Sequence, residues 1–331
     1  MGPDTRTHSV TPDNTSVGIV GLGDMGAAIA ASIVRTFPLV AFDIREEAAA
    51  RLVALGAKRA ESLQALADRC EVILLVVVDD KQVNQIVCEL LDHPGKLHTI
   101  IVSSTVLPST VMGLREEAGK VGLELIDAPV SGGAEKASAG TITVLIGGEE
   151  AAVQRCWRIF ESFGRALLHL GPVGAGSAAK LVNNLLSLGG NMLILEAMQL
   201  ADAYGLSEDA VTEFVTLGTG DSRNIHTWGR IDRARRGHTL AGTPALYEIF
   251  SKDVKAAAVA AGQRGVVLPI AAAIGAMMAE KMKARDQYAE ARGLTAPLPR
   301  CTICNHELAS PYRKAGVHPE CVFDPRAPAV R

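Results

Sequence analysis

Gly21-Leu22-Gly23-Asp24-Met25-Gly26 satisfies the spacing G-x-G-x-x-G, directly after the apolar run at 17–20 and directly before the helix-periodic segment at 27–34. Glycines so placed allow a tight turn, close approach of a pyrophosphate and packing of the following helix, whose N-terminal N–H groups face the phosphates. The motif alone is weak evidence; the strand before it and the helix after it supply the context it needs. Asp43 closes the next apolar run, 22 residues beyond Gly21, where a carboxylate can accept hydrogen bonds from the ribose hydroxyls of an adenosine. It repels a 2'-phosphate, which favours NAD over NADP, and Arg45, two residues on, offsets part of that repulsion. A second reading makes Asp43 the cap of a helix starting near Glu46, and the two roles are compatible.

Further along, Lys180 and Asn184 stand at i and i+4 near the start of a long helical segment and so share one face. A lysine near a helix N-terminus is disfavoured in its charged form, which brings its pKa toward the range useful to a general acid or base. Most helix lysines are solvated charges; here the apolar neighbours and the pair Asn183-Asn184 favour chemistry. Ser131-Gly132-Gly133 follows an apolar run and can present a hydroxyl and backbone N–H groups to a carboxylate, although such a tripeptide is often only a loop. Lys252-Asp253 interrupts an apolar helical pattern, and a surface ion pair is its plainer reading. The run Arg230, Arg233, Arg235, Arg236 reads as a solvated helix face.

The elements that must position these groups follow from the hydrophobic period. Short β-branched runs at 17–20, 39–43, 71–78, 98–104, 123–130 and 141–148 alternate with helix-like stretches, the pattern of a parallel sheet covered on both faces. From Ser177 to Tyr204 no proline occurs, and a helix of that length spans about 42 Å, enough to join two domains. Beyond it the chain reads as helix to about Arg292. The organisation expected is a polar leader at 1–15, a doubly wound α/β domain at 16–173, an all-α domain at 174–295 and a Cys/His tail at 296–331.

With 331 residues, 48% hydrophobic and 21% charged, the chain has the composition of a globular protein. A net charge of -3 excludes a chain-wide positive field for nucleic acid or anionic membrane. The longest apolar stretch, Gly265 to Ala279, contains Pro269 and falls short of the roughly 20 residues of a membrane span. The leader has no apolar core, and scattered cysteines suit a reducing cytoplasm.

In this order, GLGDMG (21–26), SSTVLPST (103–110), DAPVSGGAEKASAGTITVLIGG (127–148), GAGSAAKLVNN (174–184) and KDVKAAA (252–258) resemble the β-hydroxyacid dehydrogenase family, which includes 3-hydroxyisobutyrate dehydrogenase, tartronate semialdehyde reductase and, more distantly, 6-phosphogluconate dehydrogenase. The resemblance covers residues 17 to about 290. It implies an N-terminal Rossmann domain, a long interdomain helix and an all-α domain, with the active site in the cleft between domains and a homodimer or homotetramer as the assembly. By position it makes Lys180 the catalytic acid/base and Asn184 the residue orienting the substrate hydroxyl. Ser131, Gly132 and Gly133 hold the substrate carboxylate, Thr105 lies by the nicotinamide, and Lys252 closes over substrate and cofactor, supported by Asp253. The implied reaction passes a hydride between NAD and a small 3-hydroxy carboxylate or its semialdehyde or keto form. Competing readings are an imine reductase on the same scaffold, against which Lys180 argues, and a cofactor-binding interaction protein, against which Lys180 and Asn184 together argue.

The chain departs from the family in the stretch from Gly218 to Glu248, where Ser222, Arg223, His226, Trp228 and Tyr247 have no family assignment; Arg223 is the candidate partner of a second anionic group on a substrate. It departs again in its tail. Cys301-x-x-Cys304 is followed after 13 residues by His318-x-x-Cys321, two pairs of ligands that match a Cys₃His structural zinc site. Metal analysis of protein purified without chelator should give about one zinc per chain, lost on replacing Cys301 and Cys304 by Ser while dehydrogenase activity largely survives. Zinc-free protein with fully reduced thiols rules the site out.

Overall fold

The computed structural model describes residues 15–229, 232, 246–294 and 302. The chain divides into two compact units, Met1–Val182 and Asn183–Arg331.

In the first unit, β1 (Val17–Val20), β2 (Leu39–Phe42), β3 (Lys58–Arg59), β4 (Val72–Leu75), β5 (Thr99–Val102) and β6 (Glu124–Asp127) form a parallel sheet in the order β3-β2-β1-β4-β5-β6. This is the Rossmann order. Helices α1 (Asp24–Ile33), α2 (Ala50–Ala54, entered through a 3₁₀ turn at Glu46–Ala49), α3 (Leu63–Ala67), α4 (Asp80–Asp92) and α5 (Pro108–Lys120) make the crossovers. Side-chain caps start two of them: Ser62 accepts from the Ala65 N–H, and Asp79 from that of Gln82. Pro108 opens α5, where no N–H is needed. Ile73, Leu74, Leu75, Ile100 and Ile101 are fully buried, each stabilising the sheet by about 1.5–3 kcal/mol.

The expected strand at 71–78 is shorter: the Val76 N–H still reaches the Val20 carbonyl at 2.8 Å, but beyond it the backbone donors turn away from the ladder. The Val77 N–H goes to Ser104 Oγ at 2.8 Å and that of Val78 to Gln82 Oε1 at 2.9 Å. The run 123–130 is two strands. Asp127 ends β6, and after Ala128-Pro129 the chain enters β7 (Val130–Ser131) of a second, three-stranded sheet. There β7 pairs antiparallel with β8 (Ile142–Ile146), and β8 pairs parallel with β9 (Gly164–His169). Helices α6 (Gly133–Ser138) and α7 (Glu150–Phe163) link these strands.

A single helix, α8 (Ala175–Ala203), contains the division between the units. Its start is held by one buried carboxylate: Asp127 Oδ1 accepts from the Gly174 N–H at 2.7 Å and Oδ2 from the Ser177 N–H at 2.6 Å. Asp127 is fully buried, and burial pushes its carboxyl above the usual range despite these donors.

The described part of the second unit is helical, with α9 (Glu208–Thr216), α10 (Arg223–His226), α11 (Leu246–Gly262) and α12 (Pro269–Ala291) beside the remainder of α8. Leu188, Met192, Leu195, Val254, Ile274, Met278 and Met282 form its core. Arg285 is buried against Asp232 and Glu208, with Trp228 and Tyr288 under its guanidinium. Burial opposes that charge, but hydrogen bonds to the two carboxylates outweigh it and raise the pKa. Among the described residues no helix is long and apolar enough to cross a membrane.

Asp127→Asn keeps the size of the side chain but turns an amide NH₂ toward one of two backbone donors. The first unit is expected to lose about 1–3 kcal/mol, read as a lower urea midpoint at unchanged slope; an unchanged midpoint would show that the clamp carries no stability.

Candidate functional site

The glycine turn sits at the carboxyl edge of the main sheet, between the ends of β1 and β4. Gly21 has φ +90°, and a Cβ there would meet the Val76 carbonyl; a Cβ on Gly26 would meet the Gly21 carbonyl. Gly23 faces open space, with nothing within 4 Å of the position its Cβ would take. It precedes α1, whose first turn receives no side-chain cap from it. Leu22 is buried, Met25 half-buried and Asp24 exposed. An open approach to uncapped helix N–H groups is what a pyrophosphate requires, so the turn fits a dinucleotide.

Asp43 lies beside the turn. Its Oδ2 accepts from the Leu22 N–H at 2.7 Å, and its Oδ1 accepts from the Arg45 N–H at 2.9 Å and from Arg45 Nε at 3.2 Å. Burial would raise its pKa, but the backbone donors of Arg45 and Leu22 and the Arg45 guanidinium outweigh that and lower it. Oδ1 has both lone-pair sites taken by Arg45, and Oδ2 keeps one acceptor site for a ribose hydroxyl. Asp43 does not cap the 3₁₀ turn that follows, whose entry at Arg45 carries no side-chain cap.

Thr105 is half-buried in the loop after β5, and this loop is pinned from both sides. Ser104 Oγ takes the Val77 N–H, while Asp80 Oδ1 takes the Leu107 N–H at 2.9 Å and Thr110 Oγ1 at 2.6 Å. Neither Ser104 nor Asp80 is legible as a site residue from sequence, since the bonds cross 27 and 30 positions.

Ser131 ends β7, and Gly132 (φ +143°) and Gly133 (φ +79°) turn the chain into α6. Ser131 and Gly132 are half-buried and Gly133 is exposed. Lys180, half-buried, lies three residues beyond Ser177 on α8. The tripeptide begins four residues after Asp127, across the step from β6 to β7, and the lysine lies three residues after Ser177, the second N–H that Asp127 holds.

In the second unit, Asn184 is 7% exposed and donates from Nδ2 to Asp253 Oδ2 at 2.7 Å. Asp253 Oδ1 meets Lys252 Nζ at 3.2 Å. Asn184, Asp253 and Lys252 therefore form one connected group. Sequence reading gives Asp253 only the support of Lys252; its bond to Asn184 spans 69 positions and leaves no local signal. Burial pushes the Cys70 and Cys156 thiols up to about 12, so neither is a nucleophile. Cys301, Cys304, His318 and Cys321 lie outside the described residues, and among the described residues no group of three or more His, Cys, Asp or Glu could hold a metal.

Comparison with known proteins agrees with this geometry. Residues 16–171 match the family model of the NAD binding domain of 6-phosphogluconate dehydrogenase, and residues 174–299 match that of the NAD-binding of NADP-dependent 3-hydroxyisobutyrate dehydrogenase. The chain is 33% identical over 265 residues to 2-(hydroxymethyl)glutarate dehydrogenase of Eubacterium barkeri, covering 77% of this chain and 85% of that protein. It is 31% identical to NAD-dependent L-serine dehydrogenase of Pseudomonas aeruginosa, covering 72% and 82%. The crystal structure of 3-hydroxyisobutyrate dehydrogenase from Salmonella typhimurium superposes with a TM-score of 0.68 at 30% identity, covering 82% of this chain and 95% of that one. The nucleotide turn, the parallel sheet and the helical second unit are thus those of a known enzyme group, and the chain belongs to the β-hydroxyacid dehydrogenase family.

Proposed function

We propose that the chain interconverts a small 3-hydroxy carboxylate and its semialdehyde or keto form, with NAD preferred over NADP. The observation that carries this reading is the pairing of Lys180 with Asn184 one turn away on α8, the latter with its amide fixed by Asp253. With Nδ2 committed to Asp253, Asn184 Oδ1 accepts from Asn183 Nδ2 at 3.3 Å and keeps a second lone pair for a substrate hydroxyl. Lys180 takes the proton from that hydroxyl during oxidation and returns it during reduction. When bound, the nicotinamide accepts or supplies the hydride at the carbon bearing that oxygen.

Ser131, Gly132 and Gly133 hold the substrate carboxylate, Thr105 lies by the nicotinamide, and Lys252 closes over substrate and cofactor. The printed substrates of the relatives support the class, since 3-hydroxyisobutyrate, L-serine and 2-(hydroxymethyl)glutarate all carry a hydroxyl on the carbon β to a carboxylate. The ionised Asp43 supports the preference for NAD. A homodimer or homotetramer is supported by α8, which exposes Leu186, Leu193 and Leu200 at seven-residue intervals, 71%, 63% and 63% accessible. A cytoplasmic setting rests on the reduced-cysteine pattern, and the structural zinc of the tail rests on ligand spacing alone.

Lys180→Ala is expected to lower turnover by about 10²- to 10⁴-fold while NAD affinity, followed by fluorescence titration, stays within a few-fold; turnover close to the parent would end the acid/base assignment. Asp43→Ala is expected to weaken NAD binding and to raise relative use of NADP, because the charge opposing a 2'-phosphate is gone. Titration of both cofactors checks this, and an unchanged NAD/NADP ratio counts against Asp43.

A further inference from the structure

The order β3-β2-β1-β4-β5-β6 reverses between β1 and β4, and a dinucleotide lies across the crevice at such a point, one mononucleotide over each half of the sheet. Asp43 marks the half of β1 to β3 for the adenosine, so the loops after β4 and β5 take the nicotinamide nucleotide. The first of these loops packs on the glycine turn, since a Cβ on Gly21 would meet the Val76 carbonyl and the Val77 side chain. All of these elements lie within the first unit.

The two consecutive aspartates at the start of α4 do different work. Asp79 caps its own helix through the Gln82 N–H, and Gln82 Oε1 accepts in turn from the Val78 N–H. Asp80, the first residue of α4, serves the next helix instead. Its Oδ1 accepts from the Leu107 N–H at 2.9 Å and from Thr110 Oγ1 at 2.6 Å. Leu107 is the N-cap of α5 and has no side-chain acceptor to give, and Thr110 is the third residue of that helix. The carboxylate that a capping box draws from the third position of the same helix thus comes here from another one. At the other end of this loop Ser104 Oγ takes the Val77 N–H at 2.8 Å. Thr105 and the buried Val106 stand between the two joints.

We propose that Asp80 is a positioning residue for the nicotinamide half of the cofactor. It ties the loop after β5 to the start of α4, and so fixes Thr105 where the nicotinamide riboside lies. This rests on the dehydrogenase reading above. A loop left loose must be ordered when the cofactor binds, which subtracts from the affinity, and the Asp80 joint orders it beforehand. The adenosine and pyrophosphate, held by Asp43 and the glycine turn, do not draw on that joint. The charge of Asp80 is not required, because a single oxygen accepts both bonds.

NADH and ADP separate the two halves, since ADP keeps the adenosine and both phosphates and lacks the nicotinamide riboside. Each is titrated calorimetrically against the full chain. The parent is expected to bind NADH more tightly than ADP. In Asp80→Ala the Kd of NADH rises about 5- to 30-fold while that of ADP stays within about two-fold. Asp80→Asn remains near the parent, its amide oxygen accepting both bonds, and Thr110→Val, which removes one donor, falls in between. If Asp80→Ala does not fold, Thr110→Val decides: a selective loss of NADH affinity supports the assignment, and loss for both ligands or for neither overturns it. An equal loss for NADH and ADP in Asp80→Ala, an unchanged NADH affinity, an Asp80→Asn as weak as Asp80→Ala, or a parent that binds NADH no tighter than ADP also overturns it. These outcomes leave the dehydrogenase reading standing, whereas a parent that binds neither NADH nor NADPH overturns both.

Discussion

A single buried carboxylate ties the end of the main sheet to the start of the long helix α8. Asp127 closes β6, bridges to Gly147 through the backbone, and takes the N–H groups of Gly174 and Ser177 at the start of α8. Without such a partner the first turn of a helix has orphan donors, and burying them costs more than a hydrogen bond returns. Meeting them with a charge from the end of a strand fixes the height and the rotation of α8. The lysine three residues on, and the serine four residues on along the other branch of the chain, are consequences of that one joint. Burial works against the charge and the two donors work for it.

What was legible in the sequence is what local pattern encodes. The glycine turn, the second-strand aspartate and the alternation of runs are properties of a few adjacent residues, and the parallel sheet follows from them. The second sheet was not legible. The run at 123–130 looks continuous, yet Pro129 has no N–H to give a ladder, and the chain leaves the main sheet there. Strand β9 is mostly exposed or half-buried at the edge of three strands, a weak signal beside the helix that follows. In the run at 71–78 the residues Val76 to Val78 are as apolar as those of the strand. The donors of Val77 and Val78 are claimed by Ser104 and Gln82, and nothing in their own types announces that.

The candidate site divides in the same way. Lys180 and Asn184 are a helical spacing, and Ser131-Gly132-Gly133 is a contiguous turn, so both could be marked in advance. The partner that orients the asparagine comes from afar: Asp253 is 69 positions from Asn184. Such bonds depend on tertiary packing, which periodicity does not carry. Family motifs narrowed the choice to Lys252-Asp253, but not to which of the two would touch the asparagine.

The Arg285 cluster constrains how this chain can change with time. Three separate segments supply Glu208, Asp232 and Arg285, and the two buried members, Asp232 and Arg285, are tolerable in the interior only because they are paired with each other and with the half-buried Glu208. Removing one leaves an uncompensated buried charge, whereas replacing the set by apolar residues of similar volume can be neutral. The effects of substitution at these positions are therefore strongly non-additive. A descendant that lost this polar centre would have to pass through a less stable intermediate or change several codons in concert, so the cluster should drift as a block or not at all.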